Sequence, residues 1–274
     1  MDFPIARQLF YREINQPDSS IDLAKAALYI ALEEYQNFEP EEYLNILDAM
    51  ADELRDRLPA QNYPLRVIQT INRYLYEDLE FAGNDADYYD PRNSFLNQVI
   101  DRRTGIPISL SLVYLEVAKR IDFPMVGIGM PGHFLIKPDF EDAGIFVDAF
   151  NGGDILFPED CQGRLSQIYG QPVELQPAFL APVSPRKLLG RMLGNLKAIY
   201  LQQGDAVRVL RAVERLLLLF PDALGERRDR GILYYQLGRL TEARSDLAIY
   251  LRNAPHAPDA ARIRQLLDRL DAID

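Results

Sequence analysis

The stretches LKAIYLQQGDAVRVLRAVERLLLLFPD (residues 196–222) and ILYYQLGRLTEARSDLAIYLRNAPH (residues 232–256) decide the architecture of the carboxy-terminal third. Tyr200 and Tyr234, Gly204 and Gly238, and Pro221 and Pro255 are each separated by 34 residues. A period of that length belongs to stacked helical hairpins, in which glycine serves the turn and proline ends the second helix. The spacing predicts hairpins at about 187–221 and 222–255, with a capping helix over 258–273. The first helix of each hairpin lines the concave face of such a stack. That nominates Asn195, Ala198 and Gln202, with their successors Asp229, Ile232 and Gln236, as groove residues.

Immediately upstream, QPVELQPAFLAPVSP (residues 171–185) carries four prolines, which forbid a continuous helix and favour an extended linker over 170–185. Dividing the chain there separates two differently charged bodies. Residues 1–185 carry 14 basic and 30 acidic side chains, net −16; residues 186–274 carry 16 and 11, net +5. A nucleic-acid role does not suit the acidic part, and the arginines of the basic part lack interleaved aromatic stacking platforms. They suit solvation, docking on the acidic part, or an acidic partner peptide. No run of eighteen apolar residues and no apolar signal core at the amino terminus are present, so a cytoplasmic protein without a membrane role is expected. A lone Cys161, read as lying in a loop, agrees with a reducing compartment.

Within residues 1–169, apolar positions recur at helical spacing from Ile21 to Leu79, predicting three helices in a helical part over 1–80. Asp22 or Ser20 suits the start of the first, Pro40 with Glu41 and Glu42 the second, and Pro64 the third. A core over 91–160 follows, with a fourth helix opening at Pro91 and a fifth from Pro107 to about Arg120. Short β-like runs lie at Met125 to Met130, His133 to Lys137 and Ile145 to Ala149. The expected fold class is α+β: helices with a small antiparallel sheet, then an all-α repeat domain.

One constellation in the core carries possible chemistry. If residues 139–142 connect the last two strands, Ile136 faces Ile145 and His133 stands opposite Asp148. Opposed residues have Cβ atoms about 4.5–5.5 Å apart, close enough for a carboxylate to orient an imidazole. A nucleophile would belong at the start of the Pro107 helix, where free N–H groups favour a developing anion. Ser109 stands there, although serine near a helix start also commonly satisfies backbone donors. Asn93 and Asn97 are candidate oxyanion amides. One Cys and two His do not supply a metal site, and no motif calls for a cofactor.

The stretch NSFLNQVIDRRTGIPISLSLVYLEVAKRIDFP (93–124), with MVGIGMPGHFLIKP (125–138) and IFVDAFNGG (145–153), resembles the SirB family of bacterial transglutaminase-like proteins. It is also similar to the related domain of a eukaryotic F-box protein. The 34-residue repeats in turn match the tetratricopeptide pattern. The resemblance implies a papain-related core in which a cysteine at a helix start is followed by a strand histidine and a strand aspartate. His133 and Asp148 match the last two, but no cysteine stands near Pro107, where the nucleophile belongs.

Three functions follow as expectations. The leading one is a non-catalytic or degenerate transglutaminase-like module that binds a protein or peptide, with the repeats as a second docking surface. The second is a Ser109–His133–Asp148 acyl-transfer enzyme acting as peptidase, amidase or transamidase. The third is a purely structural scaffold.

Overall fold

The computed structural model describes residues 4–59, 63–140 and 144–272. The chain divides into two compact units, Met1–Met192 and Leu193–Asp274.

The first unit opens with helices α1 (Ile5–Ile14), α2 (Leu23–Leu32), α3 (Pro40–Arg55) and α4 (Pro64–Asn72). The expected start signals operate: the Asp22 carboxylate accepts from the Lys25 N–H, and Pro40 and Pro64 occupy first-turn positions where no N–H is needed. Beyond α4 the chain continues as a π-helical segment, Arg73–Asp78, a feature the apolar periodicity does not announce. The helix expected from Pro91 is instead a 3₁₀ turn, Pro91–Ser94, followed by α5 (Leu96–Arg102). Extended backbone at Phe95 separates the two, and the Asp90 carboxylate caps the first. Two-residue strands β1 (Ala82–Gly83) and β2 (Thr104–Gly105) pair in parallel.

Helix α6 (Pro107–Arg120) is the centre of this unit, buried without interruption from Pro107 to Ala118. A helix that is apolar nearly all round belongs inside a core. Two of its polar exceptions have side-chain partners: the Tyr114 hydroxyl donates to Asn72 Oδ1 at 3.0 Å, and Glu116 accepts from Arg120. Next comes an antiparallel sheet in the order β3 (Met125–Ile128), β4 (Leu135–Pro138), β5 (Phe146–Asp148) and β6 (Asp154–Leu156). The last strand had no sequence signal strong enough to be expected. Helix α7 (Pro158–Tyr169) follows and contains Cys161, so the loop expected there is corrected to a helix. Pro158 starts it, and the Asp160 carboxylate accepts from the Phe157 N–H.

The four prolines do keep 170–185 largely extended, but the segment is packed. Val173, Leu175, Phe179 and Leu180 lie against Ile128, Met130, Leu135, Phe146, Leu156, Cys161 and Leu165. The Val183 N–H donates to the Gly127 carbonyl at 2.9 Å, lengthening the sheet edge beside β3.

The second unit takes in the end of α8 (Pro185–Gln202), then α9 (Ala206–Leu219), α10 (Leu224–Gln236), α11 (Leu240–Asn253) and α12 (Ala260–Asp271). The division falls inside α8, seven residues beyond the boundary expected at Pro185, and residue 273, the expected end of the closing helix, lies outside the described residues. Gly204 and Gly238 turn the hairpins at φ of 70° and 74°, the left-handed region that favours glycine. Gly231 lets α10 approach α11, since a Cβ there would meet Leu247 at 2.8 Å.

Candidate functional site

His133 lies just ahead of β4, after the turn at Gly132, and Asp148 ends β5. Both are buried. Nε2 of His133 and Oδ2 of Asp148 are 2.8 Å apart. The register that brings them together differs from the expected one: Ile136 pairs with Val147, not Ile145. The offset is two residues, and because side chains alternate faces with period 2 the pair stays on one face. Residues 141 and 142 of the expected connection lie outside the described residues.

Asp148 also caps the 3₁₀ turn Ala149–Asn151. Oδ1 accepts from the N–H groups of Phe150 and Asn151, Oδ2 accepts from the Asn151 amide at 2.9 Å, and the Arg164 guanidinium stands 3.5 Å away. Burial works to raise its pKa, but the hydrogen bonds and charges of His133, Asn151 and Arg164 outweigh it and hold the carboxyl below the usual range. The following turn is pinned from α4, where the Asn72 amide donates to the Gly153 carbonyl at 2.6 Å. Gly153 has φ of 77°, and a Cβ there would meet Asn72 at 2.4 Å, so the position requires glycine. Burial, and then the charge of Asp148, push the Tyr76 phenol up. An aromatic wall completes the corner: the Phe150 ring lies edge-on to His133 (6.3 Å between centroids) and to Tyr88 (6.0 Å).

The other candidates are occupied differently. Ser109 is fully buried; its hydroxyl donates to the Asn93 carbonyl at 2.6 Å and accepts from the Ile106 N–H at 3.0 Å. Among the described residues it makes no hydrogen bond to His133. The Asn93 amide donates to the carbonyls of Asp87 and Tyr88 and accepts from Asn84 and Arg102. Asn97 is buried with its Oδ1 unpartnered, as is the Ser111 hydroxyl. Cys161 is fully buried, and burial together with the charges of Asp160 and Asp148 pushes its thiol up to about 11. A surface cavity of about 420 Å³ has Arg57, Arg66, Arg73 and Asp78 on its walls and includes none of these groups.

Of the groove candidates, Ala198, Gln202 and Gln236 are exposed and Asn195, Asp229 and Ile232 half-buried. The Asp229 carboxylate is engaged by Lys197 at 2.7 Å and Arg228 at 2.6 Å. Several arginines of this unit have internal partners: Arg228 with Asp259, Arg230 with Asp246, Arg239 with Glu242 and Arg244 with Asp271. Among the described residues no group of three His, Cys, Asp or Glu side chains is placed to hold a metal, and no helix is long and apolar enough to cross a membrane.

Residues that single-sequence reasoning missed are Asn72, Asn151, Arg164 and the aromatic pair Tyr88 and Phe150. Only the Gly152–Gly153 turn, directly after Asp148, carried a local signal.

Comparison with known proteins finds relatives for both parts of the chain. Residues 41–194 match the family described as Transglutaminase-like superfamily, and residues 196–268 match Tetratricopeptide repeat. A UPF0162 protein of Xylella fastidiosa is 37% identical over 251 residues, covering 90% of this chain and 89% of that protein. One of Pseudomonas aeruginosa is 31% identical over 248 residues, 90% of each. Human F-box only protein 21 is 33% identical over 185 residues, 63% of this chain and 28% of the F-box protein. The transglutaminase-like match over more than half the chain and the near full-length bacterial relatives show that this protein belongs to the UPF0162 proteins of the transglutaminase-like superfamily, with tetratricopeptide repeats at its carboxy-terminal end.

Proposed function

We propose that this is a cytoplasmic, non-catalytic transglutaminase-like protein that binds a protein or peptide at the His133 corner, with the tetratricopeptide hairpins as a second docking surface. The observation that carries this reading is the commitment of the Ser109 hydroxyl to Asn93 and Ile106. Its proton is given to the Asn93 carbonyl and, among the described residues, it makes no hydrogen bond to His133, so the imidazole is not placed to activate it. Cys161 does not replace it, because a buried thiol with its pKa raised to about 11 is not a thiolate near neutrality. What remains is an imidazole, a carboxylate and aromatic rings, the mix of polar and apolar groups that binding sites use.

A second reading, a Ser109–His133–Asp148 acyl-transfer enzyme, draws on the 2.8 Å His133–Asp148 contact and on His133 Nδ1, which makes no hydrogen bond among the described residues. A fluorophosphonate probe separates the two. The binding reading expects no adduct on the native chain and no difference in Ser109→Ala. An adduct on Ser109 that disappears in His133→Ala establishes the enzyme.

A further inference from the structure

The surface cavity of about 420 Å³, lined by α4, the π-helical segment and the chain just beyond α3, has no part in the reading above. Its charge is at odds with its surroundings. Residues 55–73 hold four of the fourteen basic side chains of residues 1–185, Arg55, Arg57, Arg66 and Arg73, but one of the thirty acidic ones, Asp56. Arg66, Gln69, Thr70 and Arg73, spaced i, i+3, i+4 and i+7, line the cavity together because those positions share one helix face. The π-helical segment adds Tyr74 and Asp78. Its hydrogen bonds run to i+5, which brings Asp78 round to the side of Arg73; in an α-helix five residues would leave the two about 140° apart.

Arg57 is already matched. It bonds both Asp78 and Glu53, and its guanidinium carbon lies 4.8 Å from the centroid of the buried Tyr74 ring, whose hydroxyl donates to Glu53 at 2.9 Å. Arg66 differs, being exposed with no described carboxylate within ion-pair distance. Arg73 stands 3.7 Å from Glu77, but both side chains are exposed, and such a pair contributes little. The Gln69 amide is exposed as well, while the Thr70 hydroxyl gives its proton to the Arg66 carbonyl at 2.8 Å and is left to accept. Two guanidiniums and an amide therefore line the cavity with N–H groups to spare. One bidentate guanidinium satisfies a carboxylate, whereas the three oxygens of a phosphate monoester can be shared between two. No open ring offers a nucleobase a stacking face, because Tyr74 is 2% exposed and lies under Arg57. The cavity is larger than a bare phosphate needs and falls in the range of small-molecule sites, about 300–1,000 Å³.

We propose that this cavity binds a small phosphorylated polyhydroxy compound of the size of a sugar phosphate. Arg66 and Arg73 share the phosphate oxygens, the Gln69 amide donates to the same group, and Thr70 and Asp78 accept from hydroxyls of the body. The net −16 of residues 1–185 repels anions at longer range, so affinity rests on direct contact with the two arginines and falls with added salt. The site is separate from the His133 corner and independent of what that corner binds.

Isothermal titration calorimetry on the full chain at low ionic strength tests this, with glucose 6-phosphate, glucose, inorganic phosphate, AMP, malonate and a phosphoserine tetrapeptide as titrants. The sugar phosphate should bind, more tightly than inorganic phosphate, and glucose alone should not. Arg66→Gln and Arg73→Gln should each weaken that binding at least about tenfold, and Arg66→Lys should recover part of the loss. Both arginines are exposed, so the variants should keep the native Tm, and a matched Tm marks a lost signal as a lost contact. Absence of sugar phosphate binding, or binding unchanged in both glutamine variants, overturns the proposal. Malonate binding as tightly as the sugar phosphate overturns the phosphate assignment, and tighter binding of AMP or of the phosphopeptide overturns the polyhydroxy body.

Discussion

The two ends of the presumed triad had the same standing as sequence but meet different surroundings. At the strand end, His133 and Asp148 meet across neighbouring strands, 15 residues apart in sequence, and the imidazole keeps one nitrogen without a described partner. At the helix end, Ser109 is held by its own turn and by Asn93, with its proton donated and its oxygen already accepting from Ile106. Both sites are buried. The difference teaches that burial and residue type do not make a reactive group; contact with the group that would activate it does.

The strand end should be the costlier to disturb. Asp148→Ala removes the partner of His133, the charge beside Arg164 and the cap of the following turn together, and should cost about 3 kcal/mol or more in urea unfolding. A loss under about 1 kcal/mol would mean that the pair is solvated and the contrast with Ser109 is mistaken. The contribution of Asp148 also has a defined pH sense. Its carboxyl is held below the usual range in the folded chain, so the stabilisation is fully present above the ordinary value of about 3.9 and is lost as pH falls through the folded pKa. The stability gap between the native chain and Asp148→Ala should therefore narrow below about pH 4 and stay flat at neutral pH.

Ser109→Ala sharpens the comparison from the other side. It should cost about 1–2 kcal/mol, by leaving the Asn93 carbonyl and Ile106 N–H unsatisfied, while peptide binding at His133 is unchanged. Loss of binding or of acylation without loss of stability would move Ser109 into the site. The smallest effect belongs to the repeats: Gly238→Ala imposes the left-handed backbone on alanine with nothing within 4 Å to clash, and should cost about 1 kcal/mol. Thermal unfolding of the variant measures it.

What was legible in the sequence was whatever rests on local chemistry or strict period. Asp22, Pro40 and Pro64 start their helices, and the 34-residue spacing places both hairpin glycines in the same left-handed turn. The His133–Asp148 contact survived a register error because an offset of two preserves the face. Features set by tertiary contact were not legible. Phe95 breaks the helix after Pro91, α4 passes into a π-helical segment, and Asn72 reaches across to Gly153, none of which leaves a periodic trace. Prolines in 170–185 announced the lack of helix but not that the segment packs on the first unit. Cys161 reads as a loop residue from its place beside Asp160 and after Pro158, but Pro158, Glu159 and Asp160 also make a good first turn of helix.

The central claim is that no nucleophile joins the His133–Asp148 pair, and alkylation of the full chain with iodoacetamide near neutral pH, read by intact mass, tests it most directly. Burial of Cys161 and its raised thiol pKa predict slow modification, unchanged in His133→Ala. Rapid modification of Cys161 that is abolished in His133→Ala would contradict the account and make this a cysteine enzyme with a relocated nucleophile.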